Sequence, residues 1–328
     1  MTLSRKSFAR TALTLAFGAL LPAIASAQQK ISEIKIDWAT YNPVSVALKN
    51  AGLLEKEFEK DGIKIQWVQS LGSNKALEFL NASSLDFGST AGAAALVGRI
   101  NGNPIKSIYV YSRPEWASLV TREETGIKTV ADLKGKRVAA TRGTDPHIFL
   151  IRALQEAGLS EKDVTVVLLQ HGDGKAALLR GDVDAWAGLD PLTASAEIEN
   201  GAKIFYRNKE ANSWGVLNVR EAFAAENPDV VKRVLAIYEQ AREWAVAHPA
   251  ELKAQLVAAT KLPDAVIERQ LKERTELTYS KIGQQQKDTI LAAGLALQKA
   301  EVIKPDVNVQ AVVDALIDGK FITASAAK

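Results

Sequence analysis

RVAATRGTDPHIFLIRALQEAGL, residues 137–159, decides how this chain folds. Its first residues, 137–141, suit a short strand. Arg142-Gly143-Thr144-Asp145-Pro146 carries the Gly and Pro punctuation of a loop, and apolar residues then recur at helical spacing over 147–157. Downstream the pattern continues. A strand is predicted over 164–169, a loop at His171-Gly172-Asp173-Gly174, a helix over 175–180 and a short strand over 183–187, ahead of Leu189-Asp190-Pro191.

The same order stands upstream. Strand 34–38 is followed by the turn Thr40-Tyr41-Asn42-Pro43. Residues 44–58 read as a helix ending near Gly52, or as two short helices hinged there. Strand 63–69, loop 70–74, helix 75–82, short strand 85–88, helix 91–98 and strand 105–111 complete the passage. The first helix of each passage closes on Ala-Gly-Leu, at Ala51-Gly52-Leu53 and Ala157-Gly158-Leu159, where glycine suits a left-handed cap. Two similar β-loop-α-β-loop-α-β units, one per lobe, define an α/β fold. The rest is mainly helical, with starts at Asn227-Pro228-Asp229, His248-Pro249 and Leu262-Pro263, and last helices over 290–297 and 309–317. A helical tail packed back on the first lobe divides the chain into 28–115 plus 220–328 and 118–215. Hinge crossings are then expected near 113–118 and 213–217.

Residues 1–27 form no part of this plan. Arg5, Lys6 and Arg10 precede a short apolar run and Ala25-Ser26-Ala27, the pattern of a secretory signal cleaved after Ala27. Ser4-Arg5-Lys6-Ser7-Phe8 resembles a twin-arginine signal with one Arg replaced by Lys. These residues hold three basic and no acidic side chains, so the remainder balances at 38 of each sign. A neutral chain without a basic run gives no support to nucleic-acid binding. There is no Cys. An exported protein without disulfides depends on a core of some size, and thiolate chemistry and a lipid-anchored N-terminus are absent. A freely soluble monomer is expected.

Enzyme motifs are lacking. His147, His171 and His248 have no metal-ligand spacing. Gly88-Ser89-Thr90-Ala91-Gly92 has Thr where a nucleophile elbow needs Ser. Gly172-Asp173-Gly174-Lys175-Ala176-Ala177 is a weak dinucleotide fingerprint and reads as a structural loop. No catalytic residue, metal or cofactor is assigned.

Binding signals are stronger. In open α/β sheets ligands lie beyond the carboxyl ends of the strands. Here those ends carry small polar residues that lead into helices: Tyr41 and Asn42; Gly72 and Ser73 within 70–74; Thr90, Ala91 and Gly92; Gly143, Thr144 and His147. Helix starts offer free N–H groups and a positive dipole end, so several converging on one cleft bind an anion without net charge. Arg142 has two readings, a guanidinium paired with an oxyanion or an exposed surface residue. Asp145 and Asp190 either accept from an amine on the ligand or cross-link the lobes. Trp186 and Trp214 are candidate walls for an apolar tail, with core packing as the alternative.

Asp132-Leu133-Lys134-Gly135-Lys136-Arg137-Val138-Ala139 resembles a known family. Ser84-Leu85-Asp86-Phe87-Gly88, Arg152-Ala153-Leu154, Val183-Asp184-Ala185-Trp186 and Leu189-Asp190-Pro191 fit it as well. These segments are similar to the periplasmic aliphatic-sulfonate-binding proteins of ABC importers, a group that includes taurine, nitrate and thiamine-precursor binders. The resemblance implies a type II periplasmic-binding-protein fold, two α/β lobes joined by a hinge. It also implies a small organic anion, a sulfonate, held between them at 70–74, 90–92 and 143–147, and an inner-membrane permease as partner. Thr-Arg-Gly-Thr-Asp-Pro-His stands where relatives often carry Lys-Gly-Ser, which leaves a carboxylate or zwitterion as alternative ligands.

Overall fold

The computed structural model describes residues 31–322. The signal expected over 1–27 lies outside them. The chain runs β1 (Glu33–Trp38), α1 (Pro43–Asn50), α2 (Leu53–Phe58), β2 (Lys64–Gln69), α3 (Ser73–Asn81), β3 (Phe87–Ala91), α4 (Gly92–Ile100) and β4 (Ile105–Pro114). It continues with β5 (Ala117–Thr121), β6 (Arg137–Ala140), α5 (Asp145–Glu156), β7 (Thr165–Leu168), α6 (His171–Arg180), β8 (Ala185–Leu189), α7 (Leu192–Asn200) and β9 (Lys203–Tyr206). The last stretch is β10 (Gly215–Arg220), α8 (Glu221–Glu226), α9 (Pro228–Ala247), α10 (Pro249–Thr260), α11 (Asp264–Arg274), β11 (Thr275–Glu276), α12 (Gln284–Lys299) and α13 (Val309–Leu316).

Two sheets form two lobes. The first has the order β11-β4-β10-β3-β1-β2, the second β7-β6-β8-β5-β9. In each, the first strand of the repeated unit pairs in parallel with the second and the third: β1 with β2 and β3, β6 with β7 and β8. An antiparallel strand flanks the third strand in both, β10 beside β3 and β5 beside β8. The repeat read from the sequence is therefore a repeat of topology. Gly52 and Gly158 both sit in the left-handed region, at φ 57° and 73°. Gly52 separates α1 from α2, which are two helices and not one.

Local chemistry explains the elements. Asn42 caps α1 by accepting from the Ser45 N–H, with Pro43 in the first turn. β3 and β8 are buried along their whole length, as central strands are. In α9 the residues at helical spacing, Val231, Val234, Leu235, Tyr238, Ala241 and Ala245, are buried, together with Ile237 and Glu239. Each lobe has its own apolar cluster. Val46, Ala47, Ala245, Leu252, Leu256 and Ile267 join α1 to the helical tail, whereas Val120, Ala139, Leu178, Val183 and Trp186 fill the second lobe. The chain leaves the first sheet after Pro114, enters the second at Ala117, and returns between Tyr206 and Gly215.

Some elements differ from the sequence reading. The strand expected over 85–88 is Phe87–Ala91, so Thr90 and Ala91 belong to a strand and the helix starts at Gly92. The loop expected at 171–174 is the first turn of α6. β5, β9 and α7 were not anticipated. Among the described residues, no helix is long and apolar enough to cross a membrane.

Candidate functional site

Beneath the carboxyl ends of β1 and β3 lies a buried polar network. Asp37 accepts from the Ser89 N–H at 2.9 Å and from Ser89 Oγ at 2.8 Å. Burial raises its carboxyl to about 6 despite these bonds. Asn42 Nδ2 donates to Ser89 Oγ (2.8 Å) and to the Tyr238 hydroxyl (2.6 Å). Tyr41 donates its hydroxyl to the Ser89 carbonyl at 3.0 Å, and its ring meets Trp116 edge-on. Tyr41 and Asn42 are thus committed to the floor, joining β1, β3 and α9. Asp37, Ser89 and Tyr238 were not singled out in the sequence, where nothing marks them as polar partners.

Above this floor the lobes meet. α3 follows β2 and α6 follows β7, and their first turns come close together where the lobes meet. A Cβ placed on Gly72 would lie 2.8 Å from Asn74 Oδ1 and 3.1 Å from His171 Nε2, so only glycine fits that closely. Gly143, ahead of α5, has φ 77°, and a Cβ there would lie 3.7 Å from Asn74 Cβ. Ser73 Oγ accepts from the Ala91 N–H at 3.0 Å and so joins the start of α3 to the end of β3. Gly72, Ser73, Ala91 and Gly143 thus lie in one region, with Gly92 next along the chain.

The hinge is held by Asp145. Its carboxylate accepts from Trp116 Nε1 (2.8 Å), the Ser213 N–H (3.0 Å) and Ser213 Oγ (2.6 Å). Trp116 lies on the outgoing crossing and Ser213 on the returning one. Ser213 Oγ also accepts from the Ala93 N–H (3.0 Å), which ties the start of α4 to the start of α5. The Gly92 N–H goes to the Trp214 carbonyl at 2.8 Å. The first N–H groups of α4 are therefore used inside the protein, in contrast to the anion-holding role expected of them.

Asp190 takes the second of its two readings. It accepts from Arg274 Nη1 at 3.0 Å and from the Ala194 N–H at 3.0 Å, with Thr193 Oγ1 also on Oδ1. Arg274 ends α11, which packs with the first lobe, and also donates to Glu197 on α7. Burial raises the Asp190 carboxyl and the Arg274 charge draws it back. A buried and a half-buried ionic contact thus bridge the lobes, through an arginine the sequence reading missed.

Other expected residues point elsewhere. Arg142 is exposed, with the carboxylate of Glu161 in its electrostatic reach. His147 Nε2 is 3.0 Å from Glu161 Oε1, within the second lobe. Thr144 donates to the Thr141 carbonyl at 2.6 Å. Thr90 Oγ1 accepts from Asn218 Nδ2 at 2.8 Å, inside the first sheet. Trp186 is fully buried in the second lobe's core, its indole against Gly174 of α6. Trp214 stands at the back of the hinge, edge-on to Tyr279 and beside a groove lined by Arg113, Glu210 and Thr289. Trp186 thus takes the core-packing alternative, whereas Trp214 lines a groove beside the hinge.

Two α/β lobes, hinged by two crossings and clamped over a cleft at the strand ends, define a solute-binding protein of the type II periplasmic class. Residues 57–252, more than half the chain, match the family described as NMT1/THI5 like. A protein of Escherichia coli (strain K12) named "Putative aliphatic sulfonates-binding protein" is 31% identical, over 72% of this chain and 74% of its own. The alkanesulfonate-binding protein SsuA from Xanthomonas axonopodis pv. citri, bound to MOPS, superposes with a TM-score of 0.80 at 25% identity, covering 88% of this chain and 99% of that one. For the periplasmic aliphatic sulphonate binding protein SsuA from Escherichia coli the values are 0.72 and 27%, over 85% and 91%. The chain belongs to the NMT1/THI5-like family, among the solute-binding proteins of sulfonate-, taurine- and nitrate-type ABC importers. These relatives are binding proteins, and no group of His, Cys, Asp and Glu side chains among the described residues could hold a metal ion.

Proposed function

We propose that the cleft binds a small organosulfonate, an alkanesulfonate, and that the closed protein delivers it to a membrane permease. The observation that carries this reading is the meeting of helix starts from both lobes, α3 from one and α5 and α6 from the other, around Gly72, Asn74, Gly143 and His171. The first-turn N–H groups of each helix have no acceptor inside the helix, and the dipoles present positive ends, so an anion is held without a counter-charge. The family and the sulfonate names borne by its relatives support the same ligand. Gly72, Ser73 and Gly143, with the backbone of the three helix starts, are the proposed contacts.

Lobe 28–115 plus 220–328 closes on lobe 118–215 about the crossings at 113–118 and 213–217. Likeness to periplasmic binding proteins supports an extracytoplasmic location, and the basic, apolar and A-x-A segments of 1–27 support cleavage after Ala27. The protein acts as a monomer.

A thermal-shift screen of residues 28–328 against alkanesulfonates, sulfate, nitrate and carboxylates tests the reading. A ligand at about 100 times its Kd adds about 2.7 kcal/mol, a shift of a few degrees. A rise with alkanesulfonates above the other anions is expected. No response to any sulfonate, with a rise for another anion, would overturn the ligand.

A further inference from the structure

Asp37, near the end of β1, is fully buried, and the groups that face it are neutral. From β3 the Ser89 N–H reaches both carboxylate oxygens at 2.9 Å, and Ser89 Oγ donates to Oδ1 at 2.8 Å. The Ser70 hydroxyl, at the head of loop 70–74, makes no hydrogen bond of its own and adds its dipole to the same carboxylate. The titratable neighbours are phenols: Tyr41 in the turn before α1, Tyr111 on β4 and Tyr238 on α9. Burial holds each of them neutral, and the Asp37 charge adds to this. Asp145 also acts on Tyr111, but its own donors are Trp116 and Ser213. Among the described residues no lysine, arginine or histidine pairs with Asp37, and burial raises its carboxyl to about 6.

The donors tie this carboxyl to the cleft. Ser89 leads directly into Thr90, Ala91 and the start of α4 at Gly92, and Ser70 leads into the start of α3. Ser73 Oγ joins these two strand ends by accepting from the Ala91 N–H. Asp37 therefore underlies both strand ends that the first lobe presents to the proposed anion site. An ionised carboxylate there, at low dielectric and without a counter-charge, repels an anion; a carboxylic acid does not. The coupling is reciprocal, so a bound anion strengthens the carboxyl's hold on its proton by the factor that the proton strengthens anion binding.

We infer that the cleft takes up its anion together with a proton, and that Asp37 receives the proton. This rests on the anion-binding cleft proposed above and adds a pH dependence to it. The ligand-free carboxyl loses its proton near 6, and a bound anion moves that point higher. Affinity is then full below 6, falls as pH rises between the two points and levels off above the second. Capture strengthens as the surroundings acidify. A sulfonate stays ionised throughout this range, so the change belongs to the protein.

The test is calorimetric titration with ethanesulfonate, and with sulfate and nitrate as further probes, in sulfonate-free buffers from about pH 5 to about pH 8. The wild type is expected to bind on the order of tenfold tighter at the acid end, which corresponds to a rise of about one pH unit in the Asp37 carboxyl. Between these ends, titrations in two buffers of different ionisation enthalpy should show a fraction of a proton taken up per anion bound. Asp37→Asn keeps an acceptor for the Ser89 N–H; its affinity should be flat with pH and close to that of the wild type at the acid end. If that variant does not fold, infrared difference spectra of the wild type at neutral pH decide. A protonated-carboxyl band gained on adding the anion upholds the inference, and no such band overturns it. Affinity and proton count that do not vary with pH overturn the inference and leave the anion cleft standing. A pH dependence that persists in folded Asp37→Asn overturns it too, because another group then takes the proton. No binding of any of these anions at any pH overturns both.

Discussion

Arg274 of the first lobe places Nη1 3.0 Å from Asp190 of the second, with each side chain only 2% exposed. The pair bridges the lobes beside the outgoing crossing, where the Arg274 carbonyl accepts from the Glu115 N–H and the Asp190 N–H donates to the Trp116 carbonyl, so it sets how the lobes stand to each other. Removing one partner of a buried pair leaves an uncompensated charge, at a cost of about 3–5 kcal/mol. Arg274→Ala strands both Asp190 and Glu197. Its ligand affinity should fall at least about a hundredfold, by roughly 3 kcal/mol or more. Calorimetry against the wild type measures this, and an unchanged Kd would show that the pair takes no part in closure.

Asp145 is the second structural test. Three donors from two crossings converge on one carboxylate, and Asp145→Ala leaves Trp116 Nε1 and the Ser213 N–H buried without an acceptor. A loss of about 3 kcal/mol in unfolding free energy is expected. Asp145→Asn keeps an acceptor and should lose less. Urea denaturation of both variants gives the comparison; equal stability of Asp145→Ala and wild type would contradict the hinge role.

Gly72→Ala tests the close approach of the lobes. Its Cβ would enter the space beside Asn74 Oδ1 and His171 Nε2. Overpacking of this kind costs about 1–3 kcal/mol, borne mainly by the closed state. Affinity should fall by roughly tenfold or more while ligand-free unfolding changes less. The opposite pattern, stability lost with affinity kept, would place Gly72 outside the closing surface.

Acid stability separates two buried groups. His171 titrates near 4 when folded and 6.5 when free, so the unfolded chain takes the proton first. Its contribution is complete above 6.5 and is lost as pH falls through 4. Asp37 titrates near 6 when folded and 3.8 when free. Its effect has the opposite sign: it favours the folded state below 3.8, and that gain is lost as pH rises through 6. Between pH 4 and 6 the two oppose each other. In His171→Phe the first is removed, so relative to wild type the variant should gain on the order of 3 kcal/mol as pH falls from 6.5 to 4. Parallel stability curves would contradict the neutral, buried imidazole.

Much of the architecture was legible because it rests on local signals. Gly52, Gly158 and the Asn-Pro and His-Pro starts of α9 and α10 act within a turn of themselves, and the duplicated strand order followed from them. The misreadings come from tertiary causes. Gly172 and Gly174 look like a loop, yet Gly174 is helical and small because the Trp186 indole lies 2.7 Å from where its Cβ would be. β5 and β9 were missed because each takes its place beside strands distant in sequence. The strand-to-helix loops at 70–74 and 143–147 were legible as stretches, but the partners of individual side chains were not. Arg142, His147 and Trp186 have suitable chemistry for a ligand, and only packing shows that they face solvent, Glu161 and the core. Arg274 and Asp37 carry no local signature, since their partners lie 84 and 52 residues away.

The most direct measurement is calorimetric titration of residues 28–328 with a short alkanesulfonate series in sulfate-free buffer. Saturable binding of at least one member, with one ligand per chain and a Kd in the micromolar range or below, about −8 kcal/mol, is expected. No heat with any member, alongside saturable binding of a different class of solute, would contradict sulfonate capture in this cleft.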